Sequence, residues 1–347
     1  MYTKPHILLN TLFILLALTG CEPNTAKRSF DTYNDRLANV LDTSPATIND
    51  DDLEAFPEPR ELLVPIEDIR IDLLDAYELR KCGLFNLIAE RNSILGKVQD
   101  KTRQLRYELI LLNGLNHCQE TLPDDSEVLP MLDGFKQQKQ AQLAHHLWNM
   151  FTTEKEWRQQ LTIHHQPFEL GLFYGFDESL NAFNHLAYIQ QHIQAGTSIE
   201  EKQADRLIKH QEQLHAHHYF GQLIFSIQLS TLWLDSITNM LEESESALIC
   251  GPNRNQQQAE YLSNVFYKFF VNEIQPYLAE LDSQYQQISP ALSELLNPDH
   301  ANNQAITPYY EKYISGELHD QFRQATLKHV SFWQRTFKRC NIKVGIH

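Results

Sequence analysis

The stretch Gln256–Leu296, QQQAEYLSNVFYKFFVNEIQPYLAELDSQYQQISPALSELL, decides the fold class. Its large apolar residues are Leu262, Phe266, Phe269, Ile274, Tyr277, Leu281, Tyr285, Ile288, Leu292 and Leu295. They return every three to five positions, which puts them on one side of a helix with 3.6 residues per turn. A strand would need alternation, and none is present. The spacing predicts one long helix, kinked at Pro276 and bent or broken again at Pro290. Each proline removes a backbone donor and crowds the preceding turn, at ~3 kcal/mol.

The same period spreads outward. Ser315–Cys340 carries Leu318, Phe322, Ala325, Phe332 and Phe337. Upstream, Leu207, Leu214, Leu223, Ile227, Leu234, Ile237 and Leu241 predict a long helix running to about Glu243, with Ser198 and Glu201 as its capping box. Leu180–Ile193 is a further helix, closed by Ala195-Gly196. Val128–Phe151 carries Leu132, Phe135, Leu143, Leu147 and Met150, and follows a start signal at Asp124-Asp125-Ser126. Thr153 and Glu156 predict another capping box. Between these helices, Gln166–Phe176 is an aromatic loop expected to pack on the body. The expectation is an all-α, multi-helix bundle with long antiparallel helices.

The amino end reads differently. Lys4 precedes the apolar run Ile7–Leu18, which is too short to span a membrane as a stop-transfer helix. A charged start, a short apolar run and small residues before a cysteine describe an export signal. Leu18-Thr19-Gly20-Cys21 resembles the lipobox of bacterial lipoproteins. That resemblance implies cleavage before Cys21, diacylglycerol on its sulfur and acylation of its new amine. Two or more chains hold a protein stably at a bilayer, at ~0.8 kcal/mol per buried methylene. Glu22, rather than aspartate, follows the cysteine and implies the outer membrane, with the body facing the periplasm. The division expected is a leader over 1–20, a lipidated tether with a first helix and irregular linker over 21–65, and a helical domain over 66–347. The first helix, about Phe30–Leu41, has Phe30, Tyr33, Leu37, Val40 and Leu41 on one side. The linker holds the acid run Asn49-Asp50-Asp51-Asp52 and the prolines Pro57, Pro59 and Pro65. It lacks the glycine and terminal glutamate of a calcium loop.

Without its leader the 347-residue chain is long enough for a sizeable core. A formal charge of −16 argues against nucleic acid and against attraction to anionic lipid headgroups. Beyond Cys21 four cysteines remain: Cys82, Cys118, Cys250 and Cys340. In an oxidising compartment an even count suggests two bridges, for which three pairings exist. If the chain turns near Gly96–Lys101, two antiparallel helices bring Cys82 to Cys118. A straight helix would separate them by ~54 Å, far beyond the ~7 Å that a bridge tolerates. The long helices likewise bring Cys250 and Cys340 to one end.

This turn also carries a family resemblance. Cys82-Gly83-Leu84, Glu90-Arg91-Asn92-Ser93, Leu95-Gly96-Lys97, Tyr107-Glu108 and Cys118 resemble a family of uncharacterised Gram-negative lipoproteins. Tyr33, Arg36 and Leu37 resemble that family's mature start. The resemblance covers most of the mature chain and implies an address and a fold class, but no activity.

Sixteen histidines are the one compositional excess. His215 and His218 stand at helical spacing. A hairpin tip at Gly196 would bring His185 toward His210, so these four form the one candidate metal set. Solvated or core-edge imidazoles are the favoured explanation of them, because no His-Glu-x-x-His motif accompanies them. Glu90 and Arg91 form a candidate buried ion pair, and Ser93 has no visible base. No Gly-x-Ser-x-Gly elbow, Walker loop or dinucleotide fingerprint is present. The reading is a lipid-anchored periplasmic protein that binds or scaffolds an envelope protein partner, with no cofactor implied. The alternatives are a metal-dependent hydrolase using the His-rich helix and a lipid-binding carrier.

Overall fold

The computed structural model describes residues 26–48, 53–71, 73–251 and 254–342. The leader, Cys21, Glu22 and the acid run Asn49–Asp52 lie outside the described residues. The elements are helical, with one isolated bridge, Glu169 to Leu172, in the aromatic loop. We label the principal helices α1 (Ala26–Leu41), α2 (Leu73–Glu78), α3 (Phe85–Asn92), α4 (Lys101–Thr121), α5 (Leu129–Thr153), α6 (Lys155–Leu161), α7 (Phe176–Ala195), α8 (Glu201–Leu214), α9 (Tyr219–Glu243), α10 (257–295) and α11 (Glu317–Cys340).

Two groups of helices share one continuous core. In the first, α4 and α5 form an antiparallel hairpin, and α8 lies on α4. In the second, α9 pairs along α11, while α1 and α10 complete the layer. Helix α7 joins them, packing on α10 and touching α5 and α8. The predicted stripe of α10 is buried nearly throughout, from Leu262 to Leu295.

The chain does turn where the first cysteine pair requires it. Ser93 caps the short turn Ile94–Lys97 by accepting from the Gly96 N–H at 3.0 Å. Asp100 then caps α4 by accepting from the Arg103 N–H at 2.8 Å. Cys82 and Cys118 stand at disulfide distance, Cα atoms 5.1 Å apart, and so do Cys250 and Cys340, at 5.0 Å.

Several expectations need correction. The predicted long helix ending at Glu243 is two helices, α8 and α9, broken over His215–His218. Side-chain amides replace the missing helical donors at this break. Gln159 Nε2 donates to the Leu214 and His215 carbonyls, and Gln160 Nε2 to those of Leu214 and His217. Neither capping box forms. Glu200, not Ser198, precedes α8. Thr153 belongs to α5 and donates to the Asn149 carbonyl at 2.6 Å.

Helix α10 runs on through Pro276. Phe266–Ile274 is wound as π-helix, and the Gln275 N–H reaches back five residues to the Phe270 carbonyl. The wider turn just before the proline accommodates its ring and missing donor, so the helix continues.

Nor is the linker a loose surface connection. Phe56 and Leu62 are core residues. Trp148 donates its indole N–H to the Leu62 carbonyl at 2.8 Å. Asn149 clamps both backbone groups of Val64, at 2.8 and 2.7 Å. Two side chains on α5 thus satisfy a backbone that has no ladder of its own.

At the other end of the fold, α1 is tied to α11 by a buried network. The Thr238 hydroxyl donates to the Leu234 carbonyl and so is left to accept from His329 Nδ1, 2.9 Å away. That fixes the imidazole tautomer and leaves Nε2 to accept from the Tyr33 hydroxyl at 3.0 Å. Trp333 donates to the Tyr33 oxygen, also at 3.0 Å. Burial holds the His329 pKa down to about 3, so the ring is neutral.

Candidate functional site

The polar centre of the molecule lies on the facing stripes of α4 and α5. On α4 the stripe reads Leu105, Glu108, Leu109, Leu112, Leu115; on α5 it reads Leu132, Phe135, Lys139, Leu143, Leu147. One residue in each stripe is charged, and all ten are buried. Lys139 Nζ donates to Glu108 Oε1 at 2.9 Å, with side-chain exposures of only 6 % and 4 %. Two charges removed from water to this degree are stable only when paired with good geometry.

The pairing is incomplete. Among the described residues no group donates to Glu108 Oε2, and none partners His146 Nε2, which lies 3.9 Å from Glu108 Oε1. Burial raises the Glu108 pKa against the opposing pull of Lys139 and Arg91. Burial, with Lys139 and Arg91 nearby, lowers that of His146 to about 4, so the ring is neutral. Tyr107, next along α4, is raised by burial, with the Arg91 guanidinium 5.8 Å from its ring centre.

Glu108, Lys139, His146 and Arg91 line a cleft of about 270 Å³. The linker segment Leu63–Asp68 forms one wall, and Gln104, Lys101 and Asn149 complete the polar lining. Adjoining hollows contact Arg91, Tyr107, Arg103 and Arg106. Asp68 is paired with Arg70 at 2.5 Å, and that hydrogen bond holds its carboxyl below the usual range. The cleft therefore offers an acceptor oxygen, a neutral imidazole and several cations around an apolar wall. Among the described residues no serine, threonine or cysteine lines it. This lining can meet a polar group, and burial moves Glu108 toward its protonated form.

The sequence-predicted candidates lie elsewhere. His185 and His210 do approach, ring centres 5.0 Å apart, both buried, and no ring nitrogen of either has a hydrogen-bond partner. His215 and His218 do not join them. His215 is exposed and 3.7 Å from Glu156, while His218 stacks on His164 with centres 5.1 Å apart. The break between α8 and α9 is the reason, because it removes the helical spacing that would align His215 with His218. Among the described residues no three His, Cys, Asp or Glu side chains converge as a metal set. Glu90 and Arg91 form no buried pair; Arg91 turns to the Gly96 carbonyl and the Tyr107 ring. The aromatic loop packs on the body, with Phe168 buried and Phe173 stacked on Tyr277, while Tyr174 stays exposed.

Sequence reasoning passed over Lys139. The signal was available, since a lysine in an apolar stripe must find a counter-charge, and Glu108 occupies the matching position on the neighbouring helix. No curated protein and no solved structure matches this chain. Residues 30–344 match the profile described as "Protein of unknown function (DUF3080)", and the chain belongs to that family.

Proposed function

We propose that the protein is a lipid-anchored binding component of the bacterial outer membrane, facing the periplasm, and that the cleft over Glu108 and Lys139 receives its ligand. The observation that carries the reading is the unpartnered Oε2 of a buried carboxylate lining that cleft. A buried acceptor without a donor is an uncommon and costly arrangement. A ligand amine or hydroxyl would complete it. Arg91 and Lys101 at the same cleft suit an acidic group on the other end of that ligand. The reading is binding, supported by the unpartnered acceptor and the cations around it.

Glucosamine, putrescine and D-alanine are suitable amine probes. At least one should raise the thermal midpoint of the parent protein and leave Glu108→Gln unmoved. A flat response to all three, or a shift that persists in Glu108→Gln, refutes the site. The address has its own test. Labelled palmitate should enter the parent chain and be lost with Cys21→Ser; retention would refute acylation there. Cross-linking in intact cells, followed by identification of the neighbours, tests for an envelope partner.

The lipid-carrier reading has less support. A groove of about 670 Å³ over Val40, Ile249, Tyr261 and Val265 is open to solvent, with polar Asn and Gln side chains along it.

A further inference from the structure

The three most exposed of the large hydrophobic side chains among the described residues sit within five positions of one another. They are Ile94, Leu95 and Val98, at 83 %, 80 % and 76 % exposure. Scattered surface leucines need no explanation, but three together at a turn do. The turn is also tightly built. A Cβ on Gly96 would stand 2.3 Å from the Glu90 carbonyl oxygen and 2.6 Å from that of Arg91, so the backbone is pressed against the last turn of α3. The Arg91 guanidinium and the Ser93 hydroxyl hold the Gly96 backbone from either side. The apolar side chains therefore point outward from a fixed turn.

The charge around the turn reverses that of the molecule. Residues 91–106 contain five basic residues and one acidic residue, in a chain of formal charge −16. Asp100 and Asp205 answer Arg103 and Arg106, which leaves the segment net basic. The argument from overall charge against anionic headgroups therefore does not apply to this part of the surface. Arg91, Lys101 and Arg103 also line the cleft and its neighbouring hollow, so the turn lies beside the cleft mouth.

We propose that this turn is a membrane-contact surface. Ile94, Leu95 and Val98 enter the headgroup–acyl boundary of an anionic phospholipid leaflet, and the flanking arginines and lysines meet its phosphates. Apolar area supplies the insertion and basic charge the attraction, the combination that holds a peripheral element at an interface. Seated in this way, the molecule presents the Glu108 cleft at the membrane surface. The inference needs neither a ligand in that cleft nor acylation of Cys21.

The test uses the chain from residue 21 with Cys21→Ser, so that no acyl chain contributes; the described body begins at Ala26. Vesicles of phosphatidylethanolamine with phosphatidylglycerol should sediment it, and vesicles of phosphatidylcholine alone should do so at least about tenfold less well. Added salt should weaken the binding. The variant Ile94→Ser/Leu95→Ser/Val98→Ser should lose at least about tenfold in partitioning, since each side chain carries transfer energy of that order. Leu95→Ser alone should give a smaller loss in the same direction and serves if the triple variant misfolds. Equal binding by a folded variant, or no binding by the parent, overturns the proposal. A parent dimer that either variant dissociates would make the turn a subunit interface and overturn it as well.

Discussion

Glu108 and Lys139 depend on one another unequally. Burial already moves the glutamate toward its protonated form, against the pull of Lys139. Glu108→Gln leaves a charged ammonium in the core without a counter-charge and should cost about 3–5 kcal/mol in urea unfolding. Lys139→Met should be milder, because the carboxyl can take a proton. A raised acid disfavours the fold as pH rises past its unfolded value, so the Lys139→Met deficit should be small near pH 4 and grow toward pH 8. The buried histidines act in the opposite sense. The pKa values of His185 and His329 are held down to about 3, and those of His146 and His210 to about 4, chiefly by burial. Their neutral forms stabilise the fold fully above the ordinary value near 6.5, and that stability is lost as pH falls toward 4. The thermal midpoint should drop between pH 7 and pH 4.5, and His329→Gln should flatten the drop. A midpoint constant over that range would contradict the neutral His329 ring in the Tyr33–His329–Thr238 network.

Two glycines on the helices should respond oppositely to alanine. Gly221, in the first turn of α9, comes so close to the strap after α6 that a Cβ would stand 1.9 Å from the Thr162 carbonyl oxygen and 2.7 Å from its carbon. Backbone cannot swing aside as a side chain does, so Gly221→Ala should cost about 3 kcal/mol. Gly134, within α5, has nothing within 4 Å of the added atom. Gly134→Ala should stabilise by about 0.5–1 kcal/mol through the entropy removed from the unfolded chain. Both values can be read from denaturant midpoints. These contrasts mark what periodicity can and cannot report. The stripes of α4, α5, α10 and α11 are visible because burial writes them into the order of residues. The break at His215–His218 is invisible, since no glycine or proline marks it and the groups that satisfy it, Gln159 and Gln160, lie more than fifty positions away. For the same reason Glu108 and Lys139 look unremarkable singly and form a site only when two helices are set side by side.

At the scale of the whole molecule, the two sulfur pairs close loops of different size, with separations of 36 and 90 residues. Chain-entropy arguments give ~4 kcal/mol for the first and somewhat more, ~4.6 kcal/mol, for the second. Cys250→Ala/Cys340→Ala should therefore lower the guanidinium midpoint more than Cys82→Ala/Cys118→Ala, and thiol counting on denatured, unreduced parent protein should find neither pair free. Both pairings were legible because straight helices leave few places for two cysteines to meet. The membrane-contact turn was not, because a composition of the whole chain averages away sixteen residues of opposite sign. A last property follows from where Tyr33 finds its partners. Its hydroxyl is held by His329 and Trp333, some three hundred residues further on. A chain that emerges amino end first cannot complete the polar contacts of that early helix until the late one has followed. The fold fastens like a clasp, and a polypeptide cut short before Glu317 would leave the buried Tyr33 hydroxyl without either partner.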